Sequence, residues 1–204
     1  MRKDIIFDFD GVIADTRDIL FAIFRELHPA ISEEDFLMHF DGNVYEDPRV
    51  RFTPEAAEYL HAEYCNRINI GNVEAAIEPV KRLKADHRLF IISSGDERGI
   101  RSILSKAGFK DHFEAIYGHN THTSKITKFE MLRDQFNVAL DEAVFVTDTL
   151  GDVREAKQLN IKTVAETFGF HNRERLEQGG PYAIVDTWGE IEEEIKKPHS
   201  SWRH

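Results

Sequence analysis

The chain has 204 residues, of which 41% are hydrophobic and 31% are charged, and its formal net charge is −11. This composition is typical of a globular protein and excludes an intrinsically disordered one. The negative charge, with no run of lysines or arginines, argues against a surface that binds nucleic acid. The length allows one domain with a modest insertion.

The sequence also limits where the protein works. No apolar stretch approaches the ~20 residues that a membrane helix needs, so we expect no membrane partner. Cys65 is the only cysteine and cannot form an internal disulfide, which indicates a reducing compartment. Met1-Arg2-Lys3 leads directly into a strand and leaves no room for a signal peptide. We therefore expect a cytoplasmic protein, whose oligomeric state stays open.

The first strand is followed by an unusually long interval. An apolar run predicts a strand over residues 5–9 that is buried on both faces, and helices are predicted to begin near Thr16, Ser32 and Thr53. Roughly eighty residues separate this strand from the next one, where a crossover needs about a dozen. We predict that residues 16–72 form an inserted helical cap and that residues 1–15 and 73–204 form the core domain.

After the insertion, strands and helices alternate. Further strands are predicted over residues 89–92, 114–117, 143–146, 161–165 and 183–185. Residues with helical spacing lie between them, and a last helix carries Trp188, Ile191 and Ile195 before a loose tail over residues 196–204. The alternation predicts an α/β fold with a doubly wound, Rossmann-like parallel sheet.

Three predicted strands end in polar clusters. These are Asp8-Phe9-Asp10-Gly11, Ser93-Ser94-Gly95, and Asp148 with Asp152. Ligands bind where the carboxyl ends of parallel strands meet, so we expect one site there. Four carboxylates in one crevice would repel each other unless a cation lay among them, and an all-oxygen ligand set favours Mg²⁺. We interpret Asp8 as a nucleophile and Asp10 as its acid/base partner, a pattern that suits phosphoryl transfer.

These residues resemble the ordered motifs of a known family. Asp8-Phe9-Asp10-Gly11-Val12, Ser93, a lysine that opens a later helix, and Asp148-x-x-x-Asp152 are similar to the four motifs of the haloacid dehalogenase-like hydrolase superfamily. The resemblance covers nearly the whole chain, including the cap. Phe168-Gly169-Phe170-His171 and the late strand at Ile184-Val185 resemble the phosphoglycolate phosphatase-like branch of that superfamily.

The resemblance implies a function for each motif. Asp8 would attack phosphorus and form an aspartyl-phosphate, and Asp10 would protonate the leaving oxygen and then activate water. The residues implied in phosphate binding are Gly11, Ser93, Ser94 and Lys125, of which Lys125 is also catalytic. The residues implied in Mg²⁺ binding are Asp8, Asp10 (through its carbonyl), Asp148 and Asp152, the last either as a direct ligand or through a group that itself contacts the ion.

Two positions leave alternatives or depart from the pattern. Lys125 and Lys128 both fall in the first turn of their predicted helix, where the macrodipole disfavours a cation unless an anion lies nearby. The spacing to Asp148 favours Lys125, and Lys128 stays an alternative. Thr147 stands where the family usually has glycine, and threonine suits a strand end.

We expect a phosphatase that acts on a small phosphorylated metabolite, because Asp10 sets the chain apart from the dehalogenases of the superfamily. A sugar phosphomutase of the same branch is one alternative. A non-catalytic member that senses phosphate or binds a partner is another. Tyr59, Tyr64 and Phe36, at helical spacing, are interpreted as packing residues of the cap, and His171 as a hydrogen-bonded structural residue.

Overall fold

The computed structural model describes residues 2–198, which form one six-stranded parallel sheet flanked by helices. The strands are β1 (Asp4–Phe7), β2 (Arg88–Ile92), β3 (Phe113–Tyr117), β4 (Val144–Thr147), β5 (Lys162–Glu166) and β6 (Ala183–Val185). Their order across the sheet is β3-β2-β1-β4-β5-β6. This order confirms the predicted doubly wound α/β fold and puts β1 at its centre.

The helices of the described residues agree closely with the sequence pattern. They are α1 (Arg17–Leu27), α2 (Glu33–Met38), α3 (Pro54–Arg67), α4 (Glu74–Asp86), α5 (Glu97–Lys106), α6 (Lys125–Phe136), α7 (Leu150–Gln158), α8 (Arg173–Glu177) and α9 (Trp188–Lys196). The sequence did not predict α8. The predicted start of the tail was wrong, because Lys196 belongs to α9, while Met1 and residues 199–204 lie outside the described residues. Within the described part of the chain, no helix is long and apolar enough to cross a membrane.

Strand β1 ends earlier than predicted. The strand ends at Phe7, and the backbone turns from Phe9 onward, where the Phe9 carbonyl accepts hydrogen bonds from the amides of both Ile13 and Ala14 at 2.9 Å each. Strand β1 pairs with β2 on one side and with β4 on the other. Asp8 therefore leaves the sheet at its centre, between the ends of two neighbouring strands.

The residues between β1 and α4 form helices α1 to α3, as predicted, and also two short 3₁₀ turns. Helices α1 and α3 pack on each other, and the buried Phe24 ring of α1 contacts the buried Phe36 ring of α2. The buried His171 ring joins this segment to the core: Nδ1 accepts from the Leu150 amide at 2.9 Å, and Nε2 lies 2.9 Å from the Leu37 carbonyl oxygen. The division into a cap and a core stays a prediction.

Candidate active site

The predicted polar strand ends lie next to each other in the sheet. The chain passes from β1 to β2 on one side and later reaches β4 on the other, so the strand order reverses at β1. Asp8 follows β1, Ser93 follows β2, and Asp148 follows β4. Because crevices form where the strand order of an open parallel sheet reverses, this edge is the expected place for a ligand.

Asp8 is held firmly at the end of β1. Its amide donates to the Val146 carbonyl at 2.9 Å, and its Oδ1 accepts from the Phe9 amide at 2.7 Å. Its Oδ2 lies 2.9 Å from Lys125 Nζ. Burial raises the pKa of Asp8 well above its ordinary value, and the Asp152 carboxyl adds to this rise while Lys125 opposes it. A further positive charge nearby would favour the ionised, nucleophilic form.

Lys125 lies between two carboxylates. Its Nζ is 2.6 Å from Asp152 Oδ2 and 2.9 Å from Asp8 Oδ2, and the residue is only 3% exposed. The Thr147 hydroxyl donates to the same Asp152 oxygen at 2.6 Å. Burial disfavours a charge on Asp152, but Lys125 and the hydrogen bonds hold the pKa of Asp152 below its ordinary value. The two anions remove the macrodipole penalty expected for a lysine at the start of a helix.

Lys128 is also buried but lies elsewhere. Its Nζ donates to the Ser93 carbonyl oxygen at 2.5 Å. Burial, reinforced by Lys125, lowers the pKa of Lys128 to about 7. The geometry therefore favours Lys125 as the partner of Asp8, whereas Lys128 binds the backbone just after β2.

The Ser93–Gly95 turn has donors available. Ser93 is buried, and its Oγ accepts from the Gly95 amide at 2.9 Å, which leaves the hydroxyl hydrogen able to donate. The Ser94 carbonyl accepts from the Tyr45 hydroxyl at 2.5 Å. Within residues 2–198 the Ser94 amide has no hydrogen-bond partner. This turn can therefore offer at least two donors to an anion.

Asp148 is enclosed by two glycines. It is fully buried, and its Oδ2 accepts from the Phe170 amide at 2.8 Å. A Cβ at Gly11 would lie 1.9 Å from that oxygen, and a Cβ at Gly169 would lie 2.3 Å from it. Gly11 also has a φ of +84°, and its amide donates to the Ala14 carbonyl at 2.8 Å. The structure thus shows Gly11 making room for Asp148, and its contact with phosphate stays a prediction.

Glu166 is a buried acid that sequence reasoning missed. It ends β5, is 0% exposed, and accepts from the amides of Phe168 at 2.6 Å and Gly169 at 3.1 Å through Oε2. Burial raises its pKa to about 9, and the charge of Asp8 adds to the effect. The sequence signal for Glu166 was an acid at the end of a buried strand. It was missed because the strand was predicted to end at residue 165, one residue too early.

One carboxylate oxygen of Asp10 accepts hydrogen bonds from two hydroxyl groups. Thr16 Oγ1 donates to Asp10 Oδ1 at 2.8 Å, and the Tyr64 hydroxyl donates to it at 2.6 Å. Tyr64 is buried, as expected of a packing residue, but the sequence did not indicate that its hydroxyl reaches Asp10. The interpretation of Tyr59 as a packing residue was wrong, since it is 42% exposed.

The donor set fits a hard divalent cation. Asp148 Oδ1 is buried and has no hydrogen-bond partner in the described part of the chain, which is costly for a carboxylate oxygen. Among residues 2–198 no three Asp, Glu, His or Cys side chains form a ready metal cage. Mg²⁺ usually takes one or two protein carboxylates and keeps several waters, so a cage is not needed. Asp8 and Asp148, on adjacent strand ends, provide such a pair.

Comparison with known proteins gives consistent matches. Residues 5–166 match the model of the haloacid dehalogenase-like hydrolase family. A phosphoglycolate phosphatase from Colwellia psychrerythraea is 27% identical over 96% of this chain and 98% of that protein.

Two solved structures resemble the chain over nearly its whole length. A predicted phosphatase from Clostridium acetobutylicum has a TM-score of 0.78 at 20% identity, covering 96% of this chain and 98% of that one. The β-phosphoglucomutase from Clostridium difficile has a TM-score of 0.76 at 18% identity, covering 99% and 97%. At these identities the likeness shows a shared fold.

Proposed function

This chain belongs to the haloacid dehalogenase-like hydrolase family, and from that membership we propose that it is a Mg²⁺-dependent phosphatase that works through an aspartyl-phosphate on Asp8. The family and the hydrolase class predicted from the motifs are confirmed. The observation that carries the proposal is the ammonium of Lys125, which lies between Asp8 and Asp152 where the strand order reverses.

The arrangement supports a two-step displacement. An Asp8 carboxylate oxygen would form a bond to phosphorus while the bond to the leaving oxygen breaks, and Asp10 would give that oxygen a proton. Water would then attack the phosphorus of the aspartyl-phosphate, and Asp10 would take its proton. Lys125, with the Ser93 hydroxyl and the Ser94 amide, would neutralise and orient the phosphoryl oxygens.

Mg²⁺ would be held by the side chains of Asp8 and Asp148 and by the Asp10 carbonyl. When bound, it supplies charge neutralisation to the transferring phosphoryl group. Asp152 would lie beside the cation rather than bind it through Oδ2, because this oxygen already accepts hydrogen bonds from Lys125 and Thr147. Gly11 and Gly169 give Asp148 the space to keep one oxygen free for the cation.

We also propose that residues 16–72 cover the site as a cap. This segment already reaches the strand ends: Tyr45 donates to the Ser94 carbonyl oxygen and Tyr64 to Asp10. A cover of this kind would exclude water and select the substrate, a small phosphorylated metabolite. Phosphoglycolate is the first compound to try, because the Colwellia relative carries that name.

The proposal is tested with Asp8→Asn and a matched control, Asp4→Asn. Both acids belong to the first strand region, but Asp4 lies at its opposite end and pairs with Arg88 at 2.6 Å. We expect Asp8→Asn to lose at least about 10³-fold in phosphate release, since the nucleophile is gone, while Asp4→Asn keeps most of it. Wild-type protein quenched in acid during turnover should carry one phosphoryl group on the peptide that contains Asp8, which mass spectrometry detects. A folded Asp8→Asn protein with wild-type turnover would refute the proposal.

A sugar phosphomutase is the second candidate, favoured by the likeness to β-phosphoglucomutase over nearly the whole chain. A mutase would return the phosphoryl group of Asp8 to a sugar hydroxyl instead of passing it to water. Incubation with a hexose 1-phosphate, followed by NMR of the products, distinguishes the two: free phosphate indicates the phosphatase and an isomeric sugar phosphate indicates the mutase.

A further inference from the structure

We propose that Tyr64 is a positioning residue for proton transfer: with Thr16 it occupies Oδ1 of Asp10 and leaves Oδ2 as the oxygen that exchanges the proton with the substrate. The proposal rests on the phosphatase function above and adds to it a residue outside the four motifs. Tyr64 belongs to α3 and lies 54 positions after Asp10 in the chain.

The hydrogen bonds at Oδ1 have a defined direction. The Tyr64 hydroxyl lies 2.6 Å from Asp10 Oδ1, and within residues 2–198 it has no other acceptor. An ionised carboxylate can only accept hydrogen bonds, so the phenol of Tyr64 is the donor of this bond. Thr16 lies 2.8 Å from the same oxygen and 3.4 Å from the Ala14 carbonyl oxygen, so its better acceptor is also Asp10.

Two donors at Oδ1 make that oxygen a poor place for a proton. A hydrogen on Oδ1 would face the hydrogens of Tyr64 and Thr16, and one of these buried hydroxyls would have to turn away from its acceptor. The opposite oxygen has no such competition, because the described residues make no hydrogen bond to Asp10 Oδ2. When Asp10 is protonated, the hydrogen therefore belongs on Oδ2.

Oδ2 faces the turn that is proposed to bind phosphate. A Cβ built on Gly95 would lie 3.2 Å from Asp10 Oδ2 and 3.3 Å from Ser93 Oγ, so both oxygens border the same small space. A phosphoryl group that accepts a hydrogen bond from Ser93 would thus have its leaving oxygen near Oδ2. Tyr64 and Thr16 fix the carboxyl in this orientation, which is the geometric requirement for general acid catalysis.

The test is the dependence of kcat/KM on the leaving group. Substituted phenyl phosphates from p-nitrophenyl to p-methoxyphenyl have similar size, but the poorer leaving groups depend more on proton donation. We expect Tyr64→Phe to lose less than about threefold with p-nitrophenyl phosphate and about tenfold or more with p-methoxyphenyl phosphate. Tyr59→Phe is the matched control, because it removes a phenol of the same helix that donates to the exposed Glu26 at 2.9 Å, and it should leave both values unchanged.

Each outcome decides the matter. An equal loss with all phenyl phosphates would mean that Tyr64 acts only through packing, and no loss would mean that its hydrogen bond is not used; both overturn the proposal. If Tyr64→Phe fails to fold, as shown by its thermal unfolding, Thr16→Val removes the other donor and must give the same selective loss. A wild-type protein that hydrolyses neither these phosphates nor phosphoglycolate, with Mg²⁺ present, would instead refute the phosphatase function itself.

Discussion

The sheet and the 16–72 segment contribute different kinds of group to the site. The strand ends and the helices that follow them supply charges, such as Asp8 and Lys125, each buried and in contact with a partner. The segment supplies neutral hydroxyl donors, such as Thr16 and Tyr64. A buried charge is costly without a fixed partner, whereas a hydroxyl needs only one hydrogen bond. We therefore propose that the strand ends provide the charged groups for the reaction and that the 16–72 segment orients them.

The largest expected effect concerns the charged residues at the strand ends and the helices that follow them. Lys125→Met should lower kcat/KM by about 10²–10³-fold, since it removes the ammonium that contacts Asp8 and that we propose to stabilise the phosphoryl oxygens. In contrast to Tyr64→Phe, we expect the same fold loss for all substituted phenyl phosphates. Lys128→Met, which removes an equally buried lysine bonded to the Ser93 carbonyl, should lose much less. A greater loss in Lys128→Met than in Lys125→Met would reverse the assignment of the two lysines.

A smaller effect is expected from crowding Asp148. The φ of Gly169 is not positive, so alanine fits its backbone, but the new Cβ would lie 2.3 Å from Asp148 Oδ2. We expect Gly169→Ala to displace the carboxylate and lower kcat/KM about tenfold to a hundredfold, with weaker Mn²⁺ binding measured by electron paramagnetic resonance. Gly42→Ala, where a Cβ meets nothing within 4 Å, is the control and should behave as wild type. If Gly169→Ala bound Mn²⁺ as tightly as the wild type, Asp148 would not be a ligand of the cation.

The smallest effect concerns stability rather than rate. The pKa of Glu166 is about 9 in the folded protein, above the ordinary value of a glutamate. Between these two pKa values the folded state keeps a proton that the unfolded state has lost, so stability is highest below the ordinary pKa and falls as the pH rises towards 9.

This fall is limited to about 1.4 kcal/mol per pH unit for one group. Glu166→Gln keeps an oxygen for the amides of Phe168 and Gly169 but cannot ionise, so urea unfolding with EDTA should show a flatter pH dependence between pH 6 and 8. Equal slopes for the variant and the wild type would show that Glu166 is already ionised in the metal-free protein.

Much of the architecture could be predicted because local patterns determine it. Apolar runs marked the buried strands, and Ser32 and Thr53 cap α2 and α3 as their sequence positions indicate. The convergence of Asp8, Ser93 and Asp148 followed from a general property of parallel sheets, which needs no knowledge of side-chain geometry.

The remaining features depend on contacts between distant residues. Helix α8 has only five residues, too few to show a helical period. The distinction between Lys125 and Lys128 depends on where each ammonium ends, because both belong to one turn of α6. Tyr64 was visible as an apolar residue of α3, but the target of its hydroxyl depends on how that helix crosses the end of β1. Such contacts are not encoded in residue spacing.

The position of the Lys125 ammonium has a consequence for the order of binding. Two buried acids, Asp8 and Asp152, share the ammonium of Lys125, and a third buried acid, Asp148, follows the neighbouring strand, so the fully ionised cluster has an excess of negative charge. A phosphate dianion that binds before the cation is repelled by these acids, and the repulsion is strong because a buried site has a low dielectric constant. Steady-state kinetics should therefore be ordered, with the cation entering before the phosphate ester, and excess ester should not displace the cation from the enzyme.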